Sequence, residues 1–143
     1  MRLELDIYGD PKGQPRPRAF TRKMGARFVA GVYDSDVADE WKAAVDAAIE
    51  AKKWLPQIGA ATATLHFWFK RPKSHFNSKG ILRQSAPVLH IQKPDADNLA
   101  KLVLDRLTKA GVWSDDSVVI MLTVTKGWAG DRAPGCRAII DTT

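Results

Sequence analysis

The sequence predicts a small two-layer α+β protein, in which two main helices pack on one face of a mixed β-sheet. Short segments that alternate polar and apolar residues, as half-buried strands do, recur along the chain. Two longer segments instead repeat their apolar residues at helical spacing. A chain of 143 residues, 45% hydrophobic and 27% charged, most simply forms one domain that covers residues 1–143.

The first part of the chain is predicted to form a strand, a basic segment and a second strand. "RLELDIY" places Leu3, Leu5 and Ile7 on one face and charged residues on the other. "GDPKGQPRPRAFTRKMG" is rich in glycine, proline and positive charge, which predicts a loop or an irregular hairpin. "RFVAGVY" follows it and is predicted to be a short strand.

The segment "SDVADEWKAAVDAAIEAKKW" is predicted to be the first main helix. Ser35 or Asp36 can cap its start, because their side-chain oxygens accept hydrogen bonds from the free backbone N–H groups there. Its apolar stripe comprises Val37, Trp41, Ala44, Val45, Ala48 and Ile49.

The rest of the chain is predicted to supply a strand, a loop, the second helix and two strands. A strand in "ATATLHFWFKRP", ended by Pro72, precedes the polar basic loop "KSHFNSKGILRQSAP", which we expect to be mobile when nothing is bound. Pro94 disfavours helix at the residue before it, so the second helix is predicted to begin near residues 95–97 and to stop at Gly111. "SVVIMLTVTKGW" is predicted to be a strand and "CRAIIDT" a final edge strand. The buried stripe of the second helix comprises Leu99, Leu102, Val103, Leu107 and Ala110.

Positive charge is concentrated in two stretches that carry no acidic residue. The formal net charge is +6. Residues 11–33 contain six basic residues, and residues 51–94 contain eight. Such stretches favour a polyanionic partner, nucleic acid in particular, over the alternative of a solvated basic face.

The single cysteine and the lack of long apolar runs predict a soluble cytoplasmic protein. Cys136 has no second cysteine with which to form an intrachain disulfide, which suits a reducing compartment. The N-terminal residues lack the apolar core of a signal peptide. No apolar run approaches the roughly 18 residues that a membrane helix needs, so we expect no membrane association.

Four aspartates form a local negative region in this positive surround, in pairs at the two ends of the second helix: Asp95, Asp97, Asp115 and Asp116. Two carboxylates in a D-x-D arrangement can both reach one hard cation, and Mg²⁺ prefers such oxygen ligands. Lys101, one turn on, could relieve the repulsion between them or meet a phosphate. The structural alternative is that one aspartate caps the helix and that Asp97 pairs with Lys101.

The distance between the two pairs stays open at this point. The fourteen residues from Asp97 to Ala110 span about 21 Å as a helix. Asp115 and Asp116 therefore lie about 20 Å from Asp97 if the chain simply continues. They approach it only if the following strand runs back alongside the start of the helix, and as an alternative they are turn residues.

The stretch "DADNLAKLVLDRLTKAGVWSDDSVV" resembles the signature of the RusA family of Holliday junction resolvases, found in bacteria and their phages. Looser similarity in "PKGQPRPRAFTR", "FKRPKSH" and "HIQKPD", the last two like phage-type members, extends it over most of the chain. The longer basic stretch between residues 11 and 33 departs from the family pattern. The matching positions are Asp95, Asp97, Asn98, Leu99, Lys101, Asp105, Leu107, Gly111, Asp115 and Asp116.

The resemblance implies a Mg²⁺-dependent crossover junction endodeoxyribonuclease, with Mn²⁺ able to substitute, that resolves Holliday junctions by paired symmetric nicks in DNA recombination and repair. Asp95, Asp97 and Asp116 match the metal-binding catalytic carboxylates of the family, and Lys101 matches its catalytic lysine. Asp115 carries less weight in the family. The resemblance also implies a homodimer acting on four-way junction DNA in the cytoplasm of a bacterial host cell.

Other functions and residue roles remain as alternatives. The main alternative is a basic DNA-binding module without catalysis, and a second is a magnesium phosphohydrolase acting on nucleotides. His66, His75 and His90 are scattered and are predicted to be surface or strand histidines. Four aromatic residues could stack at a junction or pack in the core: Phe20, Phe28, Trp68 and Phe76. The candidate DNA contacts are Lys12, Arg16, Arg18, Arg22, Lys23, Arg71 and Lys73.

Overall fold

The structure, a computed structural model, describes residues 1–33 and 36–143. Within these ranges it contains helices and strands in a mixed arrangement, which confirms the predicted α+β class. The strands are β1 (Arg2–Tyr8), β2 (Arg18–Met24), β3 (Arg27–Tyr33), β4 (Ala61–Phe69), β5 (Val119–Trp128) and β6 (Gly135–Thr142), and the helices are α1 (Asp39–Glu50) and α2 (Ala96–Ala110).

The main sheet has four strands in the order β1-β6-β4-β5. β4 and β5 are parallel and the other two pairs are antiparallel, so the predicted mixed sheet is confirmed. The prediction that residues 136–142 form an edge strand is wrong, because β6 lies inside the sheet. Ala138 of β6 pairs with Leu5 on one side and with Leu65 on the other. An alternating pattern indicates that one face of a strand is buried, but not how many neighbours the strand has.

Both helices pack on one face of this sheet and close a single core, as predicted. Alternate apolar side chains of β1, β4 and β6 are buried there, with Leu5, Leu65 and Ala138 fully covered. Arg106 of α2 forms an ion pair with Asp46 of α1, which ties the two helices together. The helices contribute Trp41, Val45 and Ile49 from α1 and Leu99, Ala100, Leu102, Val103, Leu104 and Leu107 from α2.

The predicted start of α1 is corrected by a few residues. The helix begins at Asp39, with Ala38 in the N-cap position and no side chain capping it. Asp36 is therefore not the cap, and Ser35 lies outside the described residues. Val37 precedes the helix and is 64% exposed, so it does not belong to the buried stripe.

β2 and β3 form a separate antiparallel hairpin, which decides between the loop and hairpin alternatives. The chain turns through Gly25 at a φ of 63°, a conformation that glycine adopts without strain. Between residues 19 and 30 the side chains are exposed, apart from half-buried Val29. The hairpin therefore extends from the body as an arm and contributes nothing to the core cluster.

The segment from β4 to β5 fixes where the acidic residues lie. Because β4 and β5 are parallel, α2 connects them by running in the opposite direction. α2 therefore begins at the end of the sheet where β4 and β5 finish, and it ends where β5 starts. Gly111 ends α2 with a φ of 84°, as predicted, whereas Ala110 is exposed and not part of the buried stripe.

The predicted basic loop between β4 and α2 contains local structure. A short 3₁₀ turn spans Lys73–His75, and Phe76 forms an isolated bridge with Leu82. Oδ1 of Asn77 accepts hydrogen bonds from the backbone N–H groups of residues 79 and 81, at 2.9 and 3.0 Å. The mobility of this loop in the unbound protein stays a prediction.

Candidate functional site

Asp95 lies at the start of α2 with its side chain exposed. It occupies the N-cap position with extended backbone angles, φ −70° and ψ 147°, but its side chain makes no capping hydrogen bond. The structural alternative, in which this carboxylate caps the helix, is therefore not realised. Among the described residues its oxygens have no hydrogen-bond donor, which leaves them available to a ligand.

Asp97 is in the first turn of α2 and is also exposed. The predicted i,i+4 ion pair with Lys101 is not formed, and Lys101 is exposed on the next turn. The i,i+4 pair that α2 does form joins Asp105 to Lys109 at 3.4 Å, so Asp105 has a structural partner. Both carboxylates of the D-x-D motif thus lie at the positive end of the α2 dipole, a position that favours negative charge.

Asn98 joins the start of α2 to the basic proline-rich loop of residues 11–17. Its side-chain amide donates a hydrogen bond to the carbonyl oxygen of Gln14 at 3.1 Å. The backbone N–H of Gln14 donates in turn to the carbonyl oxygen of Asn98, also at 3.1 Å. A Cβ at Gly13 would lie only 2.7 Å from Nδ2 of Asn98, so a larger residue there would displace the Asn98 amide. Asn98 was matched by its motif, but its contact with this loop was missed.

A cleft of about 700 Å³ opens between this loop and the start of α2. Asp95 lines it from the helix, and Lys12, Arg16 and Lys93 line it from the surrounding loops. Lys12 and Arg16 are two of the predicted DNA contacts, and both are exposed. The cleft therefore surrounds an acidic side chain with positive charge that attracts phosphate groups.

Aromatic and basic side chains form a cluster beside this cleft, where β4 and β5 end. The guanidinium carbon of Arg71 lies 5.0 Å from the ring centre of Trp128. Nη1 of Arg71 donates a hydrogen bond to the carbonyl oxygen of Pro87 at 2.7 Å. Arg71, a predicted DNA contact, thus has structural partners, whereas Lys73 nearby is exposed.

His90 is buried between Phe69 and Trp128, with ring centres 4.2 and 4.5 Å away. The prediction of a surface or strand histidine is wrong here, because neighbours distant in sequence enclose a loop residue. Burial, and then the positive charge of Lys126, lower the pKa of His90 below its usual range. Its ring is therefore neutral near pH 7. His66 lies in β4 and His75 in the 3₁₀ turn of the loop.

Lys126, near the end of β5, is a positioning residue that sequence reasoning missed. Its Nζ donates hydrogen bonds to the carbonyl oxygens of Gln92 and Pro94, at 2.7 and 2.8 Å. The second of these carbonyls immediately precedes Asp95, so Lys126 fixes the backbone from which Asp95 projects. A single lysine in an alternating strand gives no signal of this role, because the contact depends on how the loop folds back.

Asp115 and Asp116 lie at the opposite end of α2, just before β5. Asp115 precedes a 3₁₀ turn, Asp116–Val118, and its Oδ1 accepts a hydrogen bond from the backbone N–H of Ser117 at 2.8 Å. This hydrogen bond lowers the pKa of Asp115. Asp115 is thus a turn residue, as the structural alternative predicts, and Asp116 beside it is exposed.

A single chain does not bring Asp116 to Asp95 and Asp97. α2, with 15 residues, spans about 22 Å between the two pairs. β5 does run back towards Asp95, but Asp116 stays at the beginning of this strand. Within residues 1–33 and 36–143, no three acidic, histidine or cysteine side chains are grouped so that they could hold one metal ion.

The remaining predicted contacts lie on or near the hairpin of β2 and β3. Arg22 and Lys23 are exposed on β2, while the side chain of Arg18 lies outside the described part of the chain. The four aromatic candidates are not members of the buried core, so the core-packing alternative is wrong for them. Their positions are Phe20 and Phe28 on the hairpin, 36% and 77% exposed, and half-buried Trp68 and Phe76 on the body.

One finding of the structure and two comparisons with known proteins bear on this arrangement of residues. In the two described ranges, no helix has the length and apolar character needed to cross a membrane. A comparison with curated proteins gives no match. A comparison with family models matches residues 8–139 to the family described as Endodeoxyribonuclease RusA. Because this match takes in the basic loop, the hairpin and both pairs of aspartates, the protein belongs to the RusA endodeoxyribonuclease family of DNA-cutting hydrolases.

Proposed function

We propose that this protein is a Mg²⁺-dependent, structure-selective endonuclease that resolves four-way DNA junctions by paired symmetric nicks. The observation that carries the proposal is the start of α2, where Asp95 and Asp97 present carboxylates that no described residue pairs with, beside a cleft lined by basic side chains. Membership of a family of DNA endonucleases supports the class of reaction.

The residues at the start of α2 fit a hard divalent cation. Asp95 and Asp97 supply carboxylate oxygens, the ligands that Mg²⁺ and Mn²⁺ accept. Because no described side chain pairs with either carboxylate, a cation between them would relieve their repulsion. We assign Asp116 as the third ligand, supplied by the other subunit of the proposed homodimer, because α2 keeps it away from Asp95 and Asp97 within one chain. The bound ion would act as a Lewis acid at the scissile phosphate and would lower the pKa of the attacking water.

The basic side chains bind and orient the DNA. Lys12, Arg16 and Lys93 surround the cleft, so they hold a phosphate next to Asp95. Lys101 neutralises the charge that develops on the phosphoryl oxygens during the reaction. The hairpin extends the positive surface along a second part of the backbone through Arg22 and Lys23. Binding therefore depends steeply on salt and little on base sequence.

The symmetry of the reaction supports a homodimer. Resolution of a junction requires nicks in two strands, and a two-fold dimer presents two equivalent sites for them.

We place the enzyme in the cytoplasm of a bacterial cell, where Cys136, buried and free, stays reduced.

Cleavage of a mobile four-way junction tests the proposed function. We expect paired nicks with Mg²⁺ and none after chelation, because the carboxylates alone repel the phosphate. Asp97→Asn is expected to bind junctions at least as well as the wild type and to leave them uncut. The matched control is Asp105→Asn on the same helix, which should still cut. Retained cutting by Asp97→Asn would remove Asp97 from the site.

The second candidate is a basic DNA-binding module in which the acids only stabilise a helix. The exposed hairpin with Arg22 and Lys23 favours it, since this arm would bind DNA without any catalysis. Uncut junction after hours with Mg²⁺ and stoichiometric protein would support this candidate and exclude the nuclease.

A further inference from the structure

We propose that the hairpin of β2 and β3 recognises the branch point of the junction by inserting the ring of Phe28 between bases. This role rests on the proposed function, because it assigns to the hairpin the selection of four-way DNA over linear duplex. Insertion itself needs neither a metal ion nor cleavage. It can therefore be measured whether or not the protein cuts DNA.

The hairpin is joined at both of its strands to residues that line the cleft at the start of α2. Pro17 lines this cleft and directly precedes β2, while Val37 and Ala38 line it shortly after the end of β3. Asp95 lines the same cleft from the side of the helix. A DNA backbone held in this cleft therefore lies within reach of the hairpin.

The loop that leads into β2 is fastened to α2 beside the D-x-D motif. Gln14 and Asn98 exchange two hydrogen bonds, each of 3.1 Å, and Asn98 directly follows Asp97 in the chain. Pro15 and Pro17 follow Gln14, and their fixed φ angles leave the loop few conformations before β2 begins. These contacts orient the base of the hairpin relative to the carboxylate of Asp97.

The hairpin is long enough to carry a side chain from the DNA backbone to the base pairs. β2 and β3 have seven residues each. A strand rises about 3.3 Å per residue, so the tip of the hairpin lies about 23 Å from the cleft. The major groove is about 8.5 Å deep, and its width of about 12 Å admits a two-stranded ribbon. A side chain near the tip can therefore reach the bases while the cleft holds a phosphate.

Phe28, close to the tip, is the aromatic residue of the hairpin that is best placed for this contact. Its side chain is 77% exposed, and it lies on the same face as Lys23, with which it pairs across the strands. Phe20 lies on the opposite face, because side chains alternate along a strand. The Phe20 ring covers Gly31, where a Cβ would lie only 2.6 Å from it. Phe20 thus packs within the hairpin, whereas Phe28 presents its ring to a partner.

The charge around Phe28 favours DNA as this partner. Residues 11–33 contain six basic residues and no acidic residue. Arg22, Lys23 and Arg27 belong to the hairpin and are exposed. Such surroundings suit DNA, because its backbone is negative and its bases stack on aromatic side chains. The hairpin of a second copy carries the same positive charge and would be repelled.

A branch point is the part of the substrate where insertion of a ring costs least. In linear duplex, the ring must first unstack intact base pairs. At the centre of a four-way junction the ends of the helices meet, so the base pairs there are opened more easily. Phe28 therefore adds more affinity for the junction than for duplex. The phosphate contacts of the basic side chains do not make this distinction.

Fluorescence of 2-aminopurine beside a fixed branch point measures the insertion, because this base analogue brightens when it loses a stacked neighbour. The wild type, saturating the DNA without metal, should raise the emission of the junction but not that of a duplex with the same probe. Phe28→Ala, also at saturation, should leave the emission near that of free junction. Met24→Ala is the matched control, since it removes a 53% exposed side chain from the opposite face, and it should keep the signal. Equal emission with the wild type and Phe28→Ala overturns the insertion.

Binding affinities for the two kinds of DNA test the selectivity. Phe28→Ala should weaken junction binding about tenfold, the scale for removing a ring on which a base stacks, and leave duplex binding unchanged. Phe28→Trp keeps an aromatic ring and should restore the preference. Equal weakening for junction and duplex by Phe28→Ala overturns branch recognition. If the wild type unstacks the junction but does not cut it with Mg²⁺, the proposed function fails while the insertion is confirmed.

Discussion

The two ends of α2 carry the same residue type in opposite surroundings. At its start, the carboxylates of Asp95 and Asp97 pair with no residue that the structure describes, and Asp95 lines a cleft with basic neighbours. At its end, Asp115 is engaged by the N–H of Ser117, and the strand that follows exposes an apolar edge. The difference supports the proposal that the start of α2 binds a cation and a phosphate, whereas Asp115 at the other end has a structural role in a turn.

Asp115 and Asp116 give the sharpest way to break this comparison. Asp116→Asn should lower single-turnover junction cleavage by about 10²-fold or more, the scale for losing one group that stabilises developing charge. Asp115→Asn should cut within a few-fold of the wild type, because an asparagine oxygen can still accept the hydrogen bond from Ser117. Junction binding and thermal stability, measured alongside, should be unchanged in both variants. An equal loss in both would mean that the second pair acts as a unit.

Local sequence pattern was sufficient to predict the helices and strands, but it was insufficient to predict which elements lie next to each other. Alternation in "ATATLHFWF" and the left-handed stop at Gly111 depend on a few adjacent residues, so both were predicted correctly. The place of β6 between β1 and β4 depends on strands far away in sequence, and its prediction as an edge strand failed. The same limit applies to His90, which is enclosed by residues from two strands.

The residues of the candidate site likewise differ in how far the sequence could predict them. The resemblance identifies Asp95 and Asp97 through a dense motif, and their exposure at the start of α2 agrees with a ligand role. Spacing alone could not say whether Asp116 returns to them, because that depends on where β5 runs. Lys126 carries no motif at all, since its role arises from two backbone carbonyls that fold back onto β5.

DNA binding by variants that lack positive charge in two different parts of the chain tests which part contacts the DNA. Arg22→Ala combined with Lys23→Ala should flatten the plot of log affinity against log salt by about 1.8, since each lost phosphate contact contributes about 0.9. The matched control is Lys52→Ala with Lys53→Ala, which removes equal charge just after the end of α1 at Glu50. We expect the control slope to match the wild type. Equal slopes in the two double variants would contradict a DNA-binding role for the hairpin.

The smallest expected effect is that of Lys126, because Lys126 acts on the start of α2 only through the backbone that it holds. Lys126→Met should weaken Mn²⁺ binding about tenfold, the usual scale for losing a group that orients a metal ligand, while junction affinity measured without metal changes little. Lys126→Arg, which keeps the donor, should restore most of the loss.

The pKa of His90 reports on the same contact by an independent route. The positive charge of Lys126 helps to lower this pKa, so Lys126→Met should move it upward, towards its usual value, in an NMR titration. Because the folded protein holds the His90 pKa below that of the unfolded chain, stability falls as the pH drops from the unfolded value towards the folded one. Lys126→Met should bring the two pKa values of His90 closer together and so narrow the pH range over which stability falls. A variant that lost Mn²⁺ affinity with an unmoved His90 pKa would separate Lys126 from the loop that it is proposed to hold.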